Sequence, residues 1–197
     1  MTRIAVFAYG SLVEPSSAAL TLGRQVPPPR PATLSGWRRR WSIFRDNLAH
    51  EKTFAIEPGG ALPPFILGLN IEVAAEDEAG PAPNGALLEV SPAELERLDL
   101  REIRYDRVDV TGQVASAGAG DFEHLAAYVA KPEHVAPAPP PGAVVLSPYL
   151  RAVEAAFKAL GPGELTAFRS STGRPPVPAV EAVLVRDEIP AGNPRRW

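Results

Sequence analysis

Arg3-Ile4-Ala5-Val6-Phe7-Ala8-Tyr9-Gly10-Ser11-Leu12 is the stretch from which the rest of the chain can be read. Residues 3–9 are almost continuously apolar, and Gly10-Ser11 ends the run. A short apolar run closed by turn formers reads as a strand buried on both faces. The apolar part is shorter than the about 7–15 residues of a secretory signal. No run elsewhere approaches the ~18 apolar residues of a membrane span. The expected setting is therefore a soluble domain in the cytoplasm.

Outward from this strand, Ser16 or Ser17 is placed to cap a short helix through Leu22, with Gly23 as its stop. Residues 26–31 (Val-Pro-Pro-Pro-Arg-Pro) must run extended, because proline fixes φ and removes donors. Residues 34–44 hold a strand whose alternation puts Trp37, Arg39, Trp41 and Ile43 on one face. Strands follow at 52–57 and 65–73. Residues 74–84, with the acidic run Glu76-Asp77-Glu78, read as a solvated loop leading to a strand at Gly85–Val90. Ser91-Pro92-Ala93-Glu94 is a capping box with proline at the first helical position; its helix should end near Leu100 with Leu95 and Leu98 inward. Strands at about 106–115 and 122–130 are expected as a hairpin joined through residues 117–121. Residues 136–142 form a stiff polyproline connector. A helix begins at Ser147-Pro148, with Tyr149, Leu150, Val153, Ala156, Phe157 and Leu160 in one apolar stripe and Gly161 as its stop. The last strand expected is Val180–Val185, before a frayed tail at Arg195-Arg196-Trp197. Many strands, few helices and no regular βαβ alternation predict an α+β domain or barrel.

Composition narrows the chemistry. The 197 residues are 45% apolar and 22% charged, enough for one self-sufficient core. Gly (16) and Pro (23) together make about a fifth of the chain, below the about 25–30% typical of disorder. A net charge of −3 offers no basic field for nucleic acid. Arg38-Arg39-Arg40 does not change this, since a strand sends successive arginines to opposite faces. With no cysteine, thiolate metal sites, thiol nucleophiles and disulfides are excluded. The three histidines, His50, His124 and His134, are scattered along the sequence. No phosphate loop, dinucleotide fingerprint, nucleophile elbow or zinc-protease motif is present. Neither a metal nor a cofactor is expected. Acid–base chemistry must then rest on carboxylates, Tyr, Lys or Ser.

Two segments stand out. Tyr9-Gly10-Ser11-Leu12 closes a buried strand with a residue that permits a sharp turn and close ligand approach; consecutive N–H groups there can cradle an anion. It also reads as a plain strand-ending turn. Leu98-Asp99-Leu100-Arg101-Glu102-Ile103-Arg104-Tyr105-Asp106-Arg107 crowds charge at a helix end while Leu100, Ile103 and Tyr105 pull it inward. A carboxylate among apolar groups has a raised pKa and suits proton transfer. The same segment also reads as an exposed helix end with surface ion pairs, in which Asp99 braces the helix.

Taken in order, Val6–Leu12, Gly36-Trp37-Arg38-Arg39-Arg40, the Gly-Ala-Leu-Leu-Glu-Val strand, Leu98-Asp99-x-Arg101-Glu102-x-x-Tyr105-x-Arg107 and Tyr128-Val129-Ala130 resemble the γ-glutamylcyclotransferase-like superfamily, in its ChaC-like and AIG2-like branches. The resemblance covers roughly residues 3–135. It implies a small mixed β-barrel with flanking helices, here residues 1–135; residues 136–197, a linker, a helix and a final strand, lie outside the resemblance and are expected to pack on the same domain. It implies a substrate with a γ-glutamyl group and 5-oxoproline as product. It further implies that Tyr9, Gly10, Ser11 and Leu12 bind the glutamyl end and that Glu102 moves the proton. Tyr128 is implied near the site, with Tyr105 as a further candidate.

Such a reaction needs no enzyme nucleophile. The substrate's own α-amine attacks its γ-carbonyl, and well-oriented intramolecular attack is worth effective molarities of about 10⁵–10⁸ M. A dipeptide, glutathione or a γ-glutamylamine all fit, and the leaving group is left open, as is the oligomeric state. A second enzyme reading keeps the fold and acts on another amide-linked amino-acid group. A third is a non-catalytic binder of a small carboxylated ligand with Glu102 structural.

Overall fold

The computed structural model describes residues 3–75 and 80–194. The acidic run Glu76-Asp77-Glu78 and the Arg195-Arg196-Trp197 tail lie outside the described residues. Among the described residues, twelve strands and four α-helices follow in the order β1 (Ile4–Ala8), α1 (Pro15–Leu22), β2 (Arg30–Leu34), β3 (Trp37–Asp46), β4 (Lys52–Ile56), β5 (Phe65–Val73), β6 (Asn84–Val90), α2 (Pro92–Arg101), β7 (Tyr105–Asp109), β8 (Val114–Ala115), β9 (His124–Ala130), β10 (Val145–Leu146), α3 (Ser147–Leu160), α4 (Glu164–Thr172), β11 (Ala179–Val180) and β12 (Ala182–Asp187).

Six strands make the main sheet, ordered β7-β9-β1-β6-β2-β8. β1 lies inside it, parallel to β9 and antiparallel to β6, and its residues from Ala5 to Ala8 are buried, as its unbroken apolar run requires. The connectivity forces the sheet to curl. β7 and β8 occupy opposite edges, which in a flat sheet of six strands stand about 24 Å apart. Asp109 and Val114 are joined by a chain that reaches at most about 18 Å, and that chain is shortened further by a turn closed by Gln113 N–H to the Val110 carbonyl at 3.0 Å. The edges must therefore bend toward each other, giving a mixed α+β half-barrel. Three two-stranded pieces complete the architecture: β3 with β5, β4 with β12, and β10 with β11. The β5 side is tied to the main sheet where the Ala130 N–H donates to Asn70 Oδ1 at 2.8 Å.

Local chemistry accounts for most boundaries. Ser91 Oγ accepts from the Glu94 N–H and Glu94 Oε2 accepts from the Ser91 N–H at 2.8 Å, the reciprocal cap at the start of α2. Trp37, Arg39, Trp41 and Ile43 are all buried along β3, but the register against β5 shifts between Arg40 and Ile43, so the expected alternation breaks and Ile43 leaves the face that carries Trp37 and Arg39. α3 buries Val153, Ala156 and Phe157 in the same core as β1. Three further expectations need correction. The cap of α1 is the Glu14 carboxylate, which accepts from the Ser16 N–H, and neither serine caps it. The extended run expected at 26–31 leads into β2, where Pro31 sits beyond the two residues that pair with β8, an edge-like position that tolerates proline. The strand expected over 106–115 breaks, because Asp109 Oδ1 accepts from the Thr111 N–H and starts a turn; Val114-Ala115 then joins β2 rather than continuing the β7–β9 hairpin. Finally, α4 is an element the sequence analysis does not include, its last turn being the poor helix formers Ser170-Ser171-Thr172, and the last strand divides into β11 and β12. Among the described residues no helix is long and apolar enough to cross a membrane.

Candidate active site

Tyr9 follows the last residue of β1, and Gly10 opens a 3₁₀ turn over Ser11–Val13. The first N–H groups of such a turn have no intrahelical acceptor. Three neighbours hold the turn in place. The Tyr9 hydroxyl donates to the Tyr128 carbonyl at 2.6 Å. Arg39 Nη1 donates to the Tyr9 carbonyl at 3.2 Å. Arg101 Nη2 donates to Ser11 Oγ at 3.2 Å.

Arg39 is a buried cation without a carboxylate partner among the described residues. Its fork reaches the Asn84 carbonyl and Oδ1 at 2.6 and 2.8 Å, Ser171 Oγ at 2.9 Å and Thr172 Oγ1 at 2.7 Å. The guanidinium also faces the rings of Phe157 and Phe168. Burial pulls its pKa down to about 9, which leaves it charged at neutral pH. Through it, α3 and α4 are wired to the strand end that carries the Gly10 turn.

Glu102 is the residue that ends α2, its N–H donating to the Leu98 carbonyl at 2.8 Å. Its Oε1 lies 3.0 Å from Arg101 Nε, and its side chain keeps 18% of its exposure. Burial raises its pKa above the ordinary glutamate value, while the Arg101 guanidinium acts in the opposite direction. Arg101 is more deeply buried and is fixed by the Ser17 carbonyl and by Thr21 Oγ1 at 2.9 and 2.7 Å. The acid is thus mounted on a helix end that is bolted to α1.

Two hollows meet here. A small one is lined by Tyr9, Gly10, Ser11, Leu12, Glu102, Tyr105, Tyr128 and Tyr149 among others. A large one of about 580 Å³ shares Ser11, Glu102, Tyr105 and Tyr149 with it. The residues singled out in the sequence therefore come together around one carboxylate. Their hydroxyls are partly committed: Tyr105 Oη donates to the Leu69 carbonyl at 2.9 Å, and Tyr128 Oη donates to Asp99 Oδ1 at 2.8 Å. Asp99 also pairs with Arg107 at 2.7 Å, so it acts as a brace. Burial, first among the causes, pushes the phenols of Tyr9, Tyr105, Tyr128 and Tyr149 up, so all four are neutral donors.

Tyr149 escaped the sequence reading, where it counted as core in the α3 stripe. Its hydroxyl rests on Gly10, 3.4 Å from where a Cβ would stand. The available signal was a polar atom in the first turn of an otherwise apolar face. His50 and His134, distant in sequence, meet edge to face at 6.3 Å, but neither lines these hollows.

The model of the gamma-glutamyl cyclotransferase, AIG2-like family matches residues 6–143. The chain belongs to that family. No curated protein matches the chain. Among solved structures it is similar to one titled gamma-glutamyl cyclotransferase (16% identity, 88% of this chain and 89% of that one, TM-score 0.56). It is also similar to a yeast gamma-glutamyl cyclotransferase specific to glutathione (15% identity, 88% and 98%, TM-score 0.52). A third similar structure is YkqA from Bacillus subtilis (17% identity, TM-score 0.53), where 86% of this chain covers 54% of that protein's length. These likenesses show the shared fold. Tyr149 and α4 lie beyond the matched segment of the family.

Proposed function

We propose that the chain releases 5-oxoproline from a γ-glutamyl amide, with Glu102 as the proton carrier. The observation that supports this is the meeting of Glu102 and the Tyr9–Leu12 turn, remote in sequence, in the lining of one hollow, with Ser11 and Glu102 also lining the second. The N–H groups of Gly10, Ser11 and Leu12 hold the α-carboxylate of the glutamyl group. The neutral phenols of Tyr105 and Tyr149 wall the glutamyl chain and keep it folded. The α-amine nitrogen then bonds to the γ-carbonyl carbon, and the bond from that carbon to the leaving nitrogen breaks. Glu102 takes one proton from the attacking nitrogen and hands it to the leaving nitrogen, ending as the carboxylate it began as. A raised pKa makes it a better base than a solvated glutamate, and such help is typically worth about 10²–10⁴-fold.

The Arg101–Glu102 ion pair favours a second reading, in which Glu102 only braces the helix end and the site binds a carboxylated ligand without turnover. A panel of γ-glutamyl compounds separates the two by 5-oxoproline release and by calorimetric binding. The proposal expects Glu102→Gln to keep binding and to lose ring formation by about 10²-fold or more. Binding by both forms with turnover by neither supports the second reading.

A further inference from the structure

The large cavity carries information about the half of the substrate that leaves. Its walls are mostly apolar, with Phe44, Phe54, Ile66, Leu146, Ala182 and Leu184 from β3, β4, β5, β10 and β12. At about 580 Å³ it is far larger than a glutamyl chain needs and falls within the range of small-molecule sites. Its charged lining is uneven. Glu14, Glu51 and Glu102 face it, and so do Arg45, Lys52, Arg101 and Arg104. Each carboxylate is already engaged: Glu14 with the Ser16 N–H, Glu51 with Arg104 at 3.0 Å, Glu102 with Arg101.

Arg45, at the end of β3, differs from the other arginines. Its Nη1 donates to the Lys52 carbonyl at 2.8 Å, and its guanidinium lies over the Phe54 ring. Among the described residues no carboxylate forms an ion pair with it. The stack and the carbonyl fix the plane of the fork, leaving donors for a ligand, and a planar guanidinium matches a carboxylate bidentately. Burial lowers its pKa to about 10, with Glu51 and Asp46 acting the other way, so it stays charged at neutral pH.

Resting on the ring-closing reading, we propose that the leaving half is an apolar α-amino acid whose free carboxylate is held by Arg45. The substrate class is then a γ-glutamyl peptide ending in a bulky apolar residue, in preference to an uncharged γ-glutamylamine or a polar thiol peptide. The side chain fills the Phe44–Phe54–Leu184 side, and the carboxylate reaches the guanidinium.

The test compares γ-glutamylphenylalanine with γ-glutamylphenethylamine, which differ by that carboxylate alone, and with glutathione as the polar thiol peptide. The parent protein should prefer the acid to the amine by about 10–100-fold in kcat/KM, chiefly through KM, the range expected for hydrogen bonds to a charged group. In Arg45→Gln the ratio should fall toward one, and Arg45→Lys should restore part of it. Because it is a ratio within one preparation, it does not depend on the folded fraction. A parent ratio near one, a preference that survives in Arg45→Gln, or a preference for glutathione over the phenylalanine compound overturns the assignment while leaving ring closure standing. If none of these compounds yields 5-oxoproline, ring closure fails for them, and calorimetric binding of the same acid–amine pair decides. Tighter binding of the acid, lost in Arg45→Gln, supports the Arg45 site; equal or absent binding overturns it.

Discussion

Replacing Arg101 by methionine tests the placement of the acid directly. Nε of Arg101 lies 3.0 Å from Oε1 of Glu102. At an effective dielectric of about 20, two unit charges at that distance attract by about 5.5 kcal/mol. Water reaching the exposed part of Glu102 screens this, and opposite charges in such sites shift a carboxylate by about 1–3 pH units, or ~1.4–4 kcal/mol. Arg101 holds the Glu102 pKa down, opposing burial; without it the pKa rises. A general base works ionised, so activity is lost as pH falls through its pKa, and a higher pKa carries that acid limb upward. Arg101→Met should therefore move the limb of kcat/KM for 5-oxoproline release by about 1–3 units to higher pH. The variant also gives up the bonds to Ser11, Ser17 and Thr21 and will be less stable. The midpoint of the limb does not depend on how much enzyme is active, so the reading survives partial unfolding. A limb that stays in place, in protein that still turns over, would refute the role of Glu102 as the titrating base.

Two further outcomes concern the scaffold. Arg39→Met strips donors from the Tyr9 and Asn84 carbonyls and from three side-chain oxygens, and should cost about 3–5 kcal/mol. Thermal unfolding should then fall by about 6–20 °C, and a midpoint close to the parent's would show that the buried cation does not hold the Gly10 strand end. Gly85→Ala should destabilise by at least about 1–3 kcal/mol, because a Cβ there would stand 2.2 Å from the Ala8 carbonyl oxygen. Chemical denaturation checks it, and an unchanged midpoint would mean that β1 and β6 pair less closely than described.

The local code was legible wherever one residue's covalent chemistry decides the outcome. Ser91 and Glu94 form their reciprocal cap, Gly23 adopts the left-handed turn that stops α1, and the period of two at the start of β3 sends Trp37 and Arg39 to one face. The motifs at Tyr9–Leu12 and Leu98–Arg107 were visible too, because unusual residue types sit there at strand and helix ends. What could not be read was long-range. The sequence holds Tyr149 and Arg45 as an apolar-stripe phenol and a strand-end cation. Only the folding of α3 onto the Gly10 turn, and of β3 beside β4 and β5, turns them into walls of a cavity. The crossing of Val114-Ala115 to the far edge of the sheet depends on curl, which no residue encodes alone. Sequence determined the elements and the reactive groups, since propensity, capping and alternation act within a few residues; tertiary structure decided which groups share a hollow, since burial and charge pairing are properties of surfaces that meet only after the chain has folded.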